Sequence, residues 1–144
     1  MKTMMYTYKY PRPALTADVV ATCEGRVLLV RRGGEPFRGC WALPGGFMEM
    51  DETLEECAVR EFEEETGLVV PKEELSLLGV FSRPDRDPRG RTVTAVFCCQ
   101  VGSAAQVQAG DDAAAVDWWP LESLPQLAFD HAEVMDAFFR SRAK

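Results

Sequence analysis

The sequence of 144 residues contains one histidine, His131, and its five cysteines include no C-x-x-C pair. A structural zinc site takes four Cys or His ligands, so this composition does not predict a zinc centre. We interpret the cysteines as free thiols in a reducing compartment, which predicts a cytoplasmic protein.

Long apolar runs and positive charge are also scarce. No stretch approaches the ~20 apolar residues that span a bilayer, and residues 1–13 lack the apolar core and cleavage site of a secretion signal. The 16 Lys and Arg stand against 23 Asp and Glu, which gives a net charge of −7. Because such a chain repels bare nucleic acid, we expect neither nucleic acid nor a membrane as partner, and we expect a phosphate substrate to arrive with a bridging metal.

Hydrophobic residues make up 47% of the chain, enough for one globular domain over residues 1–144. Apolar and β-branched runs predict strands, with a tight turn at Glu24-Gly25 and a helix stop at Gly67. Strands that come first, with one helix in mid-chain and one at the end, predict an α/β sandwich with a mixed sheet. The predicted strands are residues 15–22, 26–31, 41–46, 75–82, 92–101 and 114–119, and the predicted helices are residues 52–66 and 130–142.

The central helix carries an unusual excess of one charge. From Glu52 to Glu65 there are seven glutamates and one arginine, whereas a solvated helix usually intersperses lysines. At about 100° per residue, Glu61, Glu64 and Glu65 continue a stripe that is apolar two turns earlier and faces the protein. Burying carboxylates side by side is costly unless they are paired or bind metal. Oxygen donors without His or Cys fit Mg²⁺ or Mn²⁺.

The alternative is a solvated charge run, which by itself is commoner than a metal site. The inward carboxylates, the glycine-rich entry loop and the C-cap glycine favour the metal site. Glu56 and Glu63 project to the opposite side of the helix, where Glu56 and Arg60 are spaced to pair at i,i+4.

The same segment resembles a known family motif. Gly46, Glu52 and residues 60–68 match every fixed position of the Nudix box, GX5EX7REUXEEXGU with U apolar. A looser similarity to bacterial and archaeal ADP-ribose pyrophosphatase-like members covers most of the chain, through YPRPALTADVV, PFRGCWALPGGF, SRPDRDPRGRTV, AGDDAAAVDWW and FDHAE. The resemblance implies a Nudix-type α/β/α sandwich with a mixed β-sheet, and hydrolysis of a nucleoside diphosphate linked to another group.

The resemblance also implies roles within the box. Arg60 would orient the glutamates through charge-assisted hydrogen bonds, and Glu52 would support the geometry of loop and helix. Mg²⁺ would be held by Glu61, Glu64, Glu65 and the carbonyl of Gly45.

A pyrophosphate brings negative oxygens into a negative site, so metal ions must screen them and lower the pKa of a bound water. One carboxylate must then accept the proton of the water, and we predict Glu61 because it starts the cluster. Family members differ here, and some take the base from a later loop. Asp111 and Asp112 are the matching residues, with Asp112 also a candidate metal ligand. A polar turn after Gly110 explains these aspartates equally well.

Residues outside the box are candidates for holding the substrate. Arg31 and Arg32 end a strand that faces the same cleft, and either could clamp a phosphate. Asp85 and Arg89 belong to a turn-rich loop that the family likeness places on the substrate side. The predicted substrate-binding residues are Arg31, Arg32, Trp41, Gly46, Asp85 and Arg89.

Aromatic residues give weaker signals. Phe37, Trp41 and Phe81 are able to stack a nucleobase, although core packing is the commoner fate of any single aromatic. Strand alternation predicts that Trp118 and Trp119 divide between core and surface.

The remaining signals concern His131 and the N-terminal tyrosines. His131 follows Asp130 at the start of a helix, which favours a capping or surface role. Tyr6, Tyr8 and Tyr10 alternate like an exposed edge strand, and such an edge could pair with a second copy in a homodimer.

Taken with the resemblance to the Nudix family, these observations predict a metal-dependent hydrolase that cleaves ADP-ribose into AMP and ribose 5-phosphate. Within the enzyme class, the alternatives are a MutT-like enzyme for nucleoside triphosphates and an NADH-type pyrophosphatase, which often carries a zinc-ribbon cysteine cluster. Outside it, the alternative is a sensor that binds ADP-ribose without cleaving it. Sensors usually carry a DNA-binding domain and a degraded box, whereas here the box is intact and too few residues flank the expected core for a winged helix.

Overall fold

The computed structural model describes residues 6–102 and 113–143. Neither α-helix in these ranges is long and apolar enough to cross a membrane. The strands are β1 (Ala14–Cys23), β2 (Arg26–Arg32), β3 (Trp41–Ala42), β4 (Gly45–Phe47), β5 (Ser76–Phe81), β6 (Thr92–Gln100) and β7 (Ala113–Pro120). The helices are α1 (Leu54–Thr66) and α2 (His131–Arg142), with a 3₁₀ turn at Lys72–Glu74.

All seven strands belong to one mixed sheet with the order β3-β2-β1-β6-β5, to which β4 adds on β1 and β7 on β2. The pair of β1 and β6 is parallel, and the other pairs are antiparallel. β1 shares one edge between two partners, because Thr16–Asp18 pair with β4 and Thr22–Cys23 with β2. This division brings β4, and with it the glycines at 45 and 46, against the middle of the sheet.

Each face of the sheet is covered by one helix, which makes the predicted α/β/α sandwich. Strand alternation sends successive side chains of β1 to opposite faces, so that Val19 packs on the α1 side and Val20 on the α2 side. The largest fully buried side chain, Phe62, lies on α1. The helix residues buried in the two cores are Cys57, Ala58 and Phe62 of α1, and Val134, Met135 and Phe138 of α2.

Helix α1 begins and ends with local hydrogen bonds. Thr53 and Glu56 form a capping box, in which the Glu56 carboxylate accepts from the Thr53 N–H at 2.8 Å and the Thr53 hydroxyl accepts from the Glu56 N–H at 3.1 Å. Gly67 ends the helix in the left-handed region, at φ 80°. Because Glu56 serves this cap, the expected pair of Glu56 with Arg60 does not form.

The single strand expected over residues 41–46 is wrong. β3 pairs with β2, whereas β4 pairs with β1, and Leu43 and Pro44 separate them. Proline has no N–H to donate, and its carbonyl accepts from the Val19 N–H at 2.9 Å. The chain therefore changes partner strand immediately before Gly45.

Two aromatic predictions are also wrong. Residues 6–13 form no strand, because Pro11 and Pro13 remove two amide donors from the segment, so the expected tyrosine edge for a homodimer is not formed.

Trp118 and Trp119 do point to opposite faces, but both rings are half-buried in core clusters because a helix covers each face.

A buried ion pair fixes the start of α2. Arg86, in the loop between β5 and β6, donates through Nε and Nη2 to both carboxylate oxygens of Asp130 at 2.9 and 2.8 Å. A third bond runs from Arg86 Nη1 to the Thr92 hydroxyl at 2.8 Å. The Arg86 and Asp130 side chains are 4% and 2% exposed. This pair ties the β5–β6 loop to Asp130, the N-cap residue immediately before α2.

We expect Asp130→Ala to lower the free energy of unfolding by about 3 to 5 kcal/mol, because it leaves the Arg86 charge buried without a partner. The matched control is Asp85→Ala, which removes a partner of the exposed Arg83 in the same loop. Since exposed pairs contribute little, the control should barely change stability. Urea unfolding followed by circular dichroism measures both, and equal losses would contradict the role given to the buried pair.

Candidate active site

A cleft with a volume of about 1120 Å³ opens beside α1. Its walls come from β1, the end of β2, residues 42–51, one side of α1, the loop after β5 and the start of α2. Most residues predicted for the site meet here. Those that line the cleft are Arg31, Arg32, Gly45, Gly46, Arg60, Glu61, Glu64, Glu65 and Arg89.

Arg60 is the centre of a hydrogen-bond network at the wall formed by α1. It donates through Nε and Nη2 to the two oxygens of Glu52 at 3.0 and 2.6 Å, and through Nη1 to Glu61 at 3.1 Å and Glu64 at 3.4 Å. Nη2 also donates to the Phe47 carbonyl at 3.1 Å. One guanidinium thus connects the loop before α1 with two carboxylates of the helix.

Glu52 lies before α1 and faces back into this network. Besides Arg60, its Oε1 accepts from the Glu49 N–H at 2.9 Å. The hydrogen bond from Arg60 lowers the pKa of Glu52, because it favours the charged carboxylate. Glu52 and Arg60 therefore form a stable charged pair that joins loop and helix.

Glu61 and Glu65 are partly buried carboxylates of α1. Burial raises the pKa of Glu61, and raises that of Glu65 to about 8. Glu65 Oε1 accepts from the Gly45 N–H at 3.2 Å, which partly offsets the effect of burial. The charge of Glu61 also raises the pKa of Glu65, because it opposes a second negative charge nearby.

Gly46 makes the room that Glu61 occupies. A Cβ atom at Gly46 would overlap the Glu61 carboxylate, and one at Gly45 would overlap Asp18. The backbone of the loop therefore approaches the carboxylates more closely than any side-chain-bearing residue allows.

Glu64 is less buried than the helical wheel predicts. Its side chain is 56% exposed, against 17% for Glu61. The buried side of α1 is centred on Ala58, Phe62 and Thr66, so Glu64 lies at its rim. Glu64 reaches the cleft from the solvent side, next to Arg60.

The donor set fits a hard divalent cation by its chemistry. Glu61, Glu64 and Glu65 offer only oxygen, on one wall of one cleft, beside the backbone of Gly45 and Gly46. Within residues 6–102 and 113–143, no three His, Cys, Asp or Glu side chains gather around one point as a finished metal site. The hydrogen bonds explain why the three carboxylates lie apart, because Glu61 and Glu64 accept from Arg60, whereas Glu65 accepts from Gly45.

Another part of the cleft lining, the basic wall, carries positive charge around one aromatic ring. The Arg32 and Arg89 guanidinium carbons lie 5.0 and 5.4 Å from the centroid of Phe129. Burial, followed by the charge of Arg89, lowers the pKa of Arg32. Arg89 is paired with Asp87 at 2.9 Å, whereas the Arg32 Nε–H donates to the Pro36 carbonyl at 2.7 Å. Two cations thus converge where an anionic group can lie between them.

Three predicted site residues are not placed in the cleft. Trp41 does not line it, since its ring packs edge-to-face on Trp119 at 5.1 Å on the α2 side of the sheet. Asp85 is 79% exposed and pairs with Arg83. Asp112, like Asp111, lies outside the described residues.

Arg31 and Arg32 both line the cleft, which leaves both available to a substrate. The Arg31 Nε–H donates to the Gly39 carbonyl at 3.3 Å in an exposed setting. Arg32 is the more buried of the two and the one beside Arg89.

Asp18 and His131 line the cleft but are not predicted as site residues. Asp18 is buried on β1, accepts from the Thr94 hydroxyl at 2.6 Å, and has its pKa raised by burial. His131 is 4% exposed, which corrects the expected surface role. Its Nδ1 accepts from the Leu43 N–H at 3.0 Å, and its Nε2 lies 3.9 Å from Asp18 Oδ2.

Signals for these two residues do exist in the sequence. Asp18 is the one charged residue of a strand that is otherwise apolar or uncharged, and an isolated carboxylate in a buried strand needs a partner. His131 falls in the FDHAE segment that contributes to the family likeness. Neither signal identifies the contacts, because these join residues far apart in the chain.

Comparison with known proteins places this geometry in a family. The model of the NUDIX domain matches residues 12–138. An ADP-ribose pyrophosphatase of Methanocaldococcus jannaschii is 47% identical over 131 residues, which are 91% of this chain and 76% of the relative.

Two solved structures share the fold. The NUDIX domain of Shewanella oneidensis NrtR, complexed with ADP ribose, superposes with a TM-score of 0.84 at 34% identity, covering 96% of this chain and 94% of that domain. A bifunctional NMN adenylyltransferase/ADP ribose pyrophosphatase of Francisella tularensis, complexed with AMP and a manganese ion, superposes with a TM-score of 0.83 at 32% identity, covering 93% of this chain and 43% of that one.

The close approach at Gly46 is testable without a substrate. We expect Gly46→Ala to displace the Glu61 carboxylate and weaken Mn²⁺ binding by about tenfold or more. Stability should change little, because the end of a flexible side chain is what moves. Titration followed by electron paramagnetic resonance measures free Mn²⁺. Gly102→Ala, whose Cβ meets nothing within 4 Å, is the control, and unchanged affinity in Gly46→Ala would refute the role of the close approach.

Proposed function

The chain belongs to the Nudix hydrolase family, whose members use divalent cations, and from that premise we propose that it hydrolyses ADP-ribose to AMP and ribose 5-phosphate with Mg²⁺. The family match over residues 12–138 confirms the resemblance found in the box, and the solved relatives confirm the α/β fold. The substrate and the choice of Mg²⁺ belong to the proposal.

The observation that carries the proposal is that the lining of one cleft presents charges of both signs. One wall presents Glu61, Glu64 and Glu65, and the other presents Arg32 and Arg89 around Phe129. A pyrophosphate has oxygens to offer to both: a cation held by the glutamates neutralises one side, and guanidinium groups neutralise the other. A substrate without charged phosphates would leave the basic wall unused.

The residues of the acidic wall divide the work. Arg60 holds the Glu61 carboxylate in place, and its bond to Glu52 ties the loop before α1 to the helix. Glu61 is the proposed general base, because burial raises its pKa and makes the carboxylate a better proton acceptor. It takes the proton of the water that attacks phosphorus, while the bond from phosphorus to the leaving phosphate breaks. Mg²⁺, when bound by the glutamates, supplies charge neutralisation and a more acidic water.

The basic wall is proposed to hold and orient the substrate. Arg32 and Arg89 are proposed to hold phosphate oxygens, with Arg31 at the outer edge. The rings of Phe47 and Phe129 line the cleft and are the proposed stacking surfaces, in place of Trp41. The 47% identity with an ADP-ribose pyrophosphatase and the ADP ribose complex of the NrtR domain support ADP-ribose over other nucleotides.

The sensor alternative has a specific observation in its favour, since the NrtR domain binds ADP ribose and a relative from Acinetobacter baylyi is a transcriptional repressor. The intact box, with Arg60 bonded to Glu52, Glu61 and Glu64, favours the enzyme. We also propose a cytoplasmic location, which the five free cysteines support.

We expect Glu64→Gln to lower Mg²⁺-dependent turnover by more than about 100-fold, since residues that only support a metal ligand already cost about 10- to 100-fold. Thermal stability should be unchanged or higher, because one of several like charges is removed. Glu63→Gln, on the exposed side of the same turn, is the control and should retain activity. A fully active Glu64→Gln would remove Glu64 from the site.

A substrate panel tests the proposal as a whole. The protein is incubated with Mg²⁺ and ADP-ribose, NADH, GDP-mannose or 8-oxo-dGTP, and the products are separated by ion-exchange chromatography. We expect ADP-ribose to be cleaved fastest, because the relative that is 47% identical is an ADP-ribose pyrophosphatase. Preferred cleavage of 8-oxo-dGTP would favour the MutT-like alternative. Binding of ADP-ribose without products would establish the sensor instead.

A further inference from the structure

We propose that His131 is a positioning residue for the reaction: its imidazole holds the segment from Leu43 to Gly46, and through that segment it fixes Glu61 and Glu65. The inference rests on the proposed function, because it concerns the geometry of the same acidic wall. His131 itself does not touch the reacting atoms in this scheme.

Trp41 and Leu127 pair in an isolated parallel bridge that does not continue into a ladder. In this bridge the Trp41 N–H donates to the Gln126 carbonyl at 3.0 Å and the Ala128 N–H donates to the Trp41 carbonyl at 2.8 Å. In a regular parallel ladder the next bond would join the Leu43 N–H to the Ala128 carbonyl. That bond is replaced here.

The chain turns away at Phe129, which has a φ of 53°. As a result the Ala128 carbonyl accepts from the His131 N–H at 3.1 Å, in the first turn of α2. The Leu43 N–H donates instead to His131 Nδ1 at 3.0 Å. An imidazole nitrogen thus takes the place of the main-chain acceptor and prevents a buried donor from being left unpaired.

The imidazole of His131 is positioned by its neighbours Phe129, Asp130 and Asp18. Its neighbour Asp130 is locked to the buried Arg86, and its ring lies 5.6 Å from that of Phe129. Burial lowers the pKa of His131, which favours the neutral ring that can accept at Nδ1. The proton then resides on Nε2, which faces Asp18 at 3.9 Å.

The segment held in this way carries the acidic wall. Leu43 lies between β3 and β4, where the chain changes partner strand and no ladder holds it. Two residues later the Gly45 N–H donates to Glu65 at 3.2 Å, and the bare Cα of Gly46 faces the Glu61 carboxylate. A shift at Leu43 therefore moves the backbone against which both carboxylates rest.

The experiment compares three variants of the full chain. His131→Leu removes the acceptor, whereas His131→Asn places its amide oxygen near the position of Nδ1 and keeps an acceptor for Leu43. Val134→Ala is the matched control, since it creates a cavity one turn later in α2, in the core on the far side of the sheet from α1. Should His131→Leu not fold, His131→Gln takes its place, because its amide reaches the position of Nε2 instead.

Two measurements are made at a temperature at which near-ultraviolet circular dichroism shows every variant folded. The first is Mn²⁺ affinity without substrate, by electron paramagnetic resonance. The second is kcat and KM for ADP-ribose. We expect His131→Leu to lose about 10- to 100-fold in Mn²⁺ affinity and in kcat, as is typical of residues that orient metal ligands. His131→Asn should recover most of both, and Val134→Ala should change neither.

A folded His131→Leu with wild-type Mn²⁺ affinity would overturn the inference. So would an equal loss in Val134→Ala, which would make the effect one of general stability, and so would a wild-type protein that binds no Mn²⁺. A wild-type protein that binds Mn²⁺ but cleaves no ADP-ribose would contradict the proposed substrate and leave the comparison of affinities to decide the role of His131.

Discussion

The site depends on one constraint, which is that the carboxylates of Glu61 and Glu65 are held out of water on the same wall. Burial raises the pKa of both, so each needs a partner that favours its charge. Glu61 has Arg60, whereas Glu65 has only the N–H of Gly45 among its hydrogen-bond donors in the described part of the chain. A divalent cation is the partner that this oxygen-only wall accommodates best. Glycine is required at position 46 because a side chain there would displace the Glu61 carboxylate from this wall.

The sheet explains how the backbone of Gly45 and Gly46 comes so close to α1. β1 lies in the middle of the order and pairs with β6 on one edge, and with β2 and β4 in turn on the other. Its pairing with β4 aligns Asp18 with Gly45 and Ala17 with Gly46. The glycines are therefore part of the sheet and not of a free loop, and α1 lies against them. Rigid elements of this kind position a site more precisely than loops do.

The sequence predicts the parts of this arrangement that are local. The spacing of Glu61, Glu65 and Gly67 is set within one helix, so the periodicity indicates that Glu61 and Glu65 face inward, although it also places Glu64 there, whose side chain is 56% exposed. The contact between Leu43 and His131 spans 88 positions, and that between Thr94 and Asp18 spans 76. Neither periodicity nor motif spacing determines such contacts. The assignment of Trp41 fails for the same reason, since its neighbour Trp119 comes from a strand far along the chain.

The segment FDH, Phe129 to His131, joins the two walls of the cleft. The guanidinium groups of Arg32 and Arg89 lie over the ring of Phe129. Asp130 holds the β5–β6 loop through Arg86. His131 holds the segment that leads to Gly46. Consecutive residues of one turn cannot move independently, because a helix start and a buried ion pair fix them together. The tripeptide thus contacts both the residues of the basic wall and the segment that leads to the acidic wall. A pyrophosphate that contacts both walls at once depends on their relative position, since misplacement of either wall would weaken the interactions that hold the reacting bond in place.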